Sequence, residues 1–340
     1  MAPQKRWMRQ PLSWQRGGAL ALLVLIAVAA AALVLDADAG SEYAPIVERL
    51  ESEGVAPAEL VLAQGRAAPI VVVGDVPGRA RPKRMVAEAI RGLADGPGLD
   101  AVVLEVPSSE QGYIDAYLAG ETDATTLLGR PAAVQERHGL PREYLAVYEA
   151  VRSVNEGRSA ARRVRVIAAD VESWPPPQGV GPRAVGEAFA RRAEHMLTRI
   201  DRELFSIMPE ARVLVFVDGY LALQGTHGQL DFGGGDPVRV EWLGELLRKR
   251  SGAGARTVLL DAGSSTNGVR RLPTYHGTAL HRPLSRELDR AVGAQADGAL
   301  GAVRDPVLGV STPGLTLEIL PAGYPLERAT QAYIFLPEGR

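Results

Sequence analysis

The chain has no cysteine in its 340 residues, only five histidines, and aromatic side chains at just 5%. The missing cysteine excludes a disulfide framework, any thiolate metal site and a lipid-modified cysteine anchor, while leaving export from the cytoplasm open. The histidines are His138, His195, His227, His276 and His281, and no two stand at a metal-ligand spacing on one helix. Neither HExxH, GxSxG, GxGxxG nor GxxxxGK[ST] occurs, which removes the zincin, nucleophile-elbow and common nucleotide-binding readings. There is also no extended Lys/Arg run, so nucleic acid is not an expected partner.

Long charge-free runs are equally scarce, with one exception. Gly17 to Leu35 reads GGALALLVLIAVAAAALVL, and at 1.5 Å per residue it spans roughly 28 Å, close to the hydrocarbon thickness of a bilayer. Lys5, Arg6, Arg9 and Arg16 precede it without an acid, whereas Asp36, Asp38 and Glu42 follow. The excess of basic residues on one side predicts a cytoplasmic N-terminus (1–16), a transmembrane signal anchor (17–35) and an extracytoplasmic remainder. Ala37-Asp38-Ala39 has the small-x-small form of a cleavage site, so release as a secreted protein after Ala39 is the alternative. The partners implied are a membrane through residues 17–35, a small-molecule ligand, and an envelope protein if the role is structural.

Residues 36–68 mix an acidic amphipathic piece with Ala, Gly and Pro and are expected to form a stalk or peripheral helix, ahead of a globular domain over 69–340. There, short β-branched runs alternate with amphipathic segments. The runs are Ala68–Asp75, Asp100–Val106, Val164–Asp170, Arg212–Asp218 and Arg256–Asp261, each apolar almost without interruption, as strands buried on both faces are. Helices are expected near Arg81–Leu93, Ser109–Ala119, Arg142–Asn155, Arg183–Ile207 and Val238–Arg250. A further helix is expected near Pro283–Ala296, with strands at Leu315–Leu320 and Gln331–Leu336. The alternation predicts an α/β fold: a mainly parallel central sheet flanked by helices, preceded by the single N-terminal transmembrane helix.

In such a sheet ligands bind beyond the carboxyl ends of the strands. The candidate catalytic residues are therefore Asp75, Glu105, Asp170 and Asp218, which end or nearly end four predicted strands, together with His227 in the loop after the fourth. Converging carboxylates hold a hard divalent metal or serve as acid and base; Asp at a strand end also caps the next turn. Arg158, Arg162, Arg163 and Arg165 cluster before the third strand and read as a solvated helix end, and the glycines of Phe232–Asp236 read as a loop.

These segments resemble the superfamily of ChaN-like haem-uptake proteins, TraB-like proteins and erythromycin esterase-like proteins. The likeness runs from Pro69 to Ala262, through DAVVLEVPSSEQGYIDAYLAG at Asp100–Gly120, EYLAVYEAVRSVN at Glu143–Asn155 and RRVRVIAAD at Arg162–Asp170. Leu104-Glu105 is similar to the family's acidic strand end, and Gln111, Asp115, Leu118 and Gly120 to its helix pattern. Two histidine positions differ: Gly74-Asp75-Val76-Pro77-Gly78 stands where the family has Gly-Glu-x-x-His, and Asp218-Gly219-Tyr220-Leu221-Ala222 where it has the second histidine. The resemblance implies Gly74, Gln111, Gly219 and Tyr220 as ligand-binding residues, and haem or a divalent metal as the cofactor. It further implies a ligand-binding domain with degenerate catalytic motifs, an active hydrolase or a structural envelope component being the alternatives.

Overall fold

The protein is described from a computed structural model, which covers residues 54–75, 80–130, 141–172, 179–225, 227–230, 238–261, 298–300 and 329–335. These all fall within one compact unit, Pro45–Arg340. The apolar segment 17–35, the possible cleavage point at Ala39, and the elements expected at 283–296 and 315–320 lie outside the described residues. No helix among the described residues is long and apolar enough to cross a membrane.

In chain order the elements are α1 (Pro57–Ala67), β1 (Ile70–Asp75), α2 (Ala80–Asp95), β2 (Ala101–Pro107), α3 (Gln111–Ala119), α4 (Ala124–Leu128) and α5 (Pro141–Asn155). There follow β3 (Arg165–Asp170), α6 (Pro182–Ile200), β4 (Val213–Asp218), β5 (His227–Leu230), β6 (Val238–Glu241) and α7 (Leu243–Ser251). The last three are β7 (Ala255–Asp261), β8 (Gly298–Leu300) and β9 (Ala332–Phe335). Among the described residues seven strands form one sheet in the order β3-β2-β4-β1-β7-β9-β8. All its pairings are parallel except β8 with β9. The predicted α/β class with a mainly parallel sheet is what the chain adopts.

The five β-branched runs became β1, β2, β3, β4 and β7 because they bury side chains on both faces. β1 and β2 are inaccessible along their whole length, and β4 to its last residue. On one face Val71, Val73, Val102, Leu104, Leu214 and Phe216 pack with Val86 and Ile90 of α2 and Val147 and Val151 of α5.

Two expectations change. Residues 57–67, expected within a stalk or peripheral helix, form the helix α1, but its Leu60 and Val61 are buried in the main core, so the folded body begins before residue 69. The helix expected over Val238–Arg250 is a strand followed by a shorter helix. Val238-Arg239-Val240-Glu241 alternates with period two and pairs antiparallel with β5, and the extended backbone of Trp242 precedes α7.

Connectivity explains where a crevice opens. From β1 the chain moves outward to β2 and then β3, and from β3 it returns to β4, which lies between β2 and β1. With right-handed crossovers, α2 and α5 cover one face, and α6 and α7, whose connections run in the opposite direction, cover the other. The chain leaving β4 thus departs to the opposite side from the chains leaving both its neighbours. Such a reversal is the topological switch point at which open α/β sheets bind ligands.

Candidate functional site

The switch point is bounded by the ends of β1, β4 and β2, and three predicted carboxylates stand there. Asp75 and Asp218 are direct register partners. The two strands come unusually close: Gly219 N donates to Asp75 O at 3.1 Å, and a Cβ on Gly74 would sit 2.9 Å from Gly219 Cα. Gly74 and Gly219, expected to touch ligand, thus have a structural reason to lack side chains.

Glu105 is aimed by a bulge. Leu104 pairs with Ala168 but Pro107 with Asp170, so β2 carries one extra residue between them. An insertion of this kind bends a strand and redirects a side chain. Glu105 Oε2 accepts the backbone N–H of Asp218 at 2.6 Å, which ties β2 to the end of β4. Its other oxygen accepts from Arg192, a residue of α6.

Arg192 is fully buried and organises the rest. Its Nε donates to Asp170 Oδ1 at 2.7 Å, its Nη2 to Asp170 Oδ2 at 2.5 Å, and its Nη1 to the hydroxyl of Tyr220 at 3.0 Å. Burial alone would lower the guanidinium's pKa, but Glu105 and Asp170 hold it well above the ordinary arginine value. It stays charged at every accessible pH. The Tyr220 ring is held by Phe189 at 5.2 Å and Trp242 at 6.3 Å between centroids.

A second ion pair lies across the sheet. Asp75 alternates with Val71 and Val73 on the α2 face, and there Lys83, fully buried, meets both its oxygens at 2.7 and 2.8 Å. Asp218 shares the alternation of Leu214 and Phe216 and falls on that same side, half-buried. Pleating sends Asp75 and Asp218 to one face and Glu105 to the other, and the backbone N–H of Asp218 joins the two groups.

This geometry bears on a metal. The guanidinium of Arg192 fills the point at which Glu105 and Asp170 meet, and among the described residues no three His, Asp or Glu side chains are placed to hold one ion. The described residues of the site do not fit a divalent metal.

Two further expectations are redirected. Gln111 brackets β3, an edge strand: its Nε2 donates to Val166 O at 2.8 Å and its Oε1 accepts from Ala168 N at 2.8 Å. It is a strand clasp rather than a ligand contact. His227 opens β5 in the separate two-stranded ribbon, its backbone paired with Glu241, and is not in the seven-stranded sheet. Of the other histidines, His195 is exposed on α6, while His138, His276 and His281 lie outside the described residues.

Lys83 and Arg192 escaped the sequence pattern, although a signal existed. Arg192 occupies the apolar stripe Val185, Phe189, Met196, Ile200 of α6, and Lys83 precedes Val86 and Ile90 on that of α2. A basic residue at a stripe position faces the interior, where it requires a carboxylate.

In sequence, no protein-family profile and no curated protein matches the chain. In structure it is similar to a succinoglycan biosynthesis protein, with a TM-score of 0.56 and 10% identity over 86% of this chain and 96% of that one. It is also similar to a mutant of the erythromycin esterase EreC in an open conformation, with a TM-score of 0.53 and 11% identity over 82% and 93% of the two chains. A Bacillus cereus protein aligns with a TM-score of 0.53 and 11% identity over 81% and 90%. The chain thus shares the fold of these proteins.

Proposed function

We propose that this protein is a membrane-tethered extracytoplasmic domain that binds a small molecule in the crevice between the ends of β1, β4 and β2. The observation that carries the reading is Asp218, a half-buried carboxylate at the switch point whose backbone is fixed by Glu105. Around it the polar groups are pre-organised, Glu105 and Asp170 by Arg192 and Asp75 by Lys83. Carboxylates engaged in this way hold geometry rather than abstract protons, which supports binding with degenerate catalytic motifs over turnover. The tether rests on residues 17–35 and their flanking charges.

A hydrolase is the second reading. It is supported by the fold shared with an erythromycin esterase.

The test uses the full chain in detergent micelles, screened by thermal shift and calorimetry against panels of lactones, esters, glycosides and haemin, with product analysis of the same mixtures. Binding without turnover, weakened about tenfold by Asp218→Asn with unchanged melting temperature, is the expected result; tenfold corresponds to about 1.4 kcal/mol. Turnover abolished by Asp218→Asn would replace the first reading by the second. No binding and no turnover, with a defined partner captured by crosslinking in membranes, would favour a structural envelope component over both. Protease accessibility of the C-terminal domain in spheroplasts tests the orientation.

A further inference from the structure

Among the described residues β3 is an edge strand of the sheet. Val164–Ala169 reads VRVIAA, β-branched and apolar apart from one arginine and free of proline, a composition that pairs readily with a further strand. Arg165 N donates to Asp100 O at 2.9 Å, so the backbone groups of Arg165 face β2. Those of Val164, Val166 and Ala168 therefore point outward, because the direction alternates along a strand. Two carboxamides meet them. Asn155, at the end of α5, donates from Nδ2 to Val164 O at 2.9 Å, and its Oδ1 accepts from Val164 N at 2.7 Å. Gln111, at the start of α3, donates from Nε2 to Val166 O at 2.8 Å, and its Oε1 accepts from Ala168 N at 2.8 Å. The same Nε2 also donates to Asp115 Oδ1 at 2.9 Å, which fixes the orientation of the amide.

Gln111 reproduces the bonding of a strand residue. In a parallel ladder one residue donates to the carbonyl before its partner and accepts from the amide after it, here the groups on either side of Ile167. The Gln111 carboxamide thus takes the place of the residue that a further strand would set opposite Ile167, and the Asn155 carboxamide takes the neighbouring outward position at Val164. α3 and the turn Ser108–Glu110 before it lie against β3 and carry the first of these amides there. We infer that the outer edge of β3 is a strand-addition surface closed within the single chain by Gln111 and Asn155, and that the partner it admits once opened is β3 of a second copy. The occupant follows from self-complementarity. Two antiparallel copies related by a two-fold axis set the outward groups of Val166 in one against those of Ala168 in the other. In that register Arg165 falls opposite Ala169, so like charges do not meet. Each copy offers one outer edge of β3, so the assembly closes as a dimer.

The experiment compares the full chain with its double variant Gln111→Ala and Asn155→Ala by sedimentation equilibrium in density-matched detergent micelles. Because the chain has no cysteine, Arg165→Cys in each background carries a single nitroxide label at an exposed position of β3. The double variant is expected to dimerise with a dissociation constant about tenfold or more below that of the parent, and its label to show dipolar broadening that vanishes on dilution with unlabelled variant. The parent's label is expected to stay sharp. A folded double variant that associates no more tightly than the parent overturns the inference, and so does broadening in the parent. Tighter association without broadening at position 165 places the dimer on another surface and overturns it equally. Should the double variant fail to fold, Gln111→Met and Asn155→Ala are read singly by the same two measurements, with circular dichroism as the check on folding. Both singles matching the parent would then overturn it.

Discussion

Arg192 and Asp170 form a bidentate pair with both side chains wholly shielded from solvent, Nε to Oδ1 at 2.7 Å and Nη2 to Oδ2 at 2.5 Å. The pair joins α6 to the end of β3, and through Glu105 it also reaches β2. One buried guanidinium serves two buried carboxylates, so its removal strips both of that cation.

Arg192→Met is accordingly expected to destabilise the protein by about 3–5 kcal/mol, because Glu105 and Asp170 would remain buried without their cation. Adding Glu105→Gln and Asp170→Asn should recover a large part of that loss. Urea unfolding of the parent, the single and the triple variant measures it, and a single variant as stable as the parent would refute the network's role.

On the α2 face, Lys83→Met removes a fully buried cation from Asp75, at a cost of about 3–5 kcal/mol. The double variant Lys83→Met with Asp75→Leu should be markedly more stable than the single one. Because the Lys83 pair lies on the opposite face from Arg192, the two single losses should add to within about 0.5 kcal/mol. A large coupling would mean that the faces communicate through the end of β4.

Gln111→Ala removes both partners that the side chain supplies to β3. Val166 O and Ala168 N would lose bonds of 2.8 Å each, with an expected loss of about 1–3 kcal/mol. Amide exchange at Ala168 should accelerate far more than exchange in central β4, since β3 is an edge strand. Equal acceleration in both strands would indicate global unfolding instead.

The Glu172 carboxyl illustrates a pH dependence. Burial pushes its pKa up, but hydrogen bonds from Ser108 and Ser109 outweigh that and leave it below the ordinary glutamate value. A depressed carboxylate contributes stability that is present above the unfolded-state pKa and lost as pH falls through the folded one. Ser108→Ala should raise the Glu172 pKa and flatten the acid limb of the stability curve. A carboxyl carbon NMR titration follows Glu172 directly, and an unmoved midpoint would discount the Ser108 contact.

Much of the fold was legible because its strands are buried on both faces. Nothing but continuous β-branched apolar sequence suits such a strand, so β1, β2, β3, β4 and β7 announce themselves. The segment Val238–Glu241 was less legible, since a four-residue strand running directly into a helix shows an alternation too short to outweigh the helical pattern after it. The core membership of α1 was hidden for another reason. Its Ala, Gln and Gly content gives a weak apolar stripe, while small residues allow close approach: a Cβ on Gly65 would meet Leu93 at 2.3 Å.

By itself the sequence determined the α/β class, the strand ends and the set of acidic residues standing at them, because period, β-branching and the chemistry of strand termini are local properties. It also determined that the chain carries one charge-free run long enough for a bilayer. Only the tertiary structure decided which carboxylates meet which cations. Pleating divides Asp75 and Glu105 between opposite faces, and the placement of β4 between β2 and β1 makes Asp218 the hinge between them. Arg192 lies 87 positions from Glu105 and 22 from Asp170, and no local pattern specifies a partner at such distances. Their charge neutralisation is a consequence of the crossover topology that brings α6 over the ends of β2, β3 and β4.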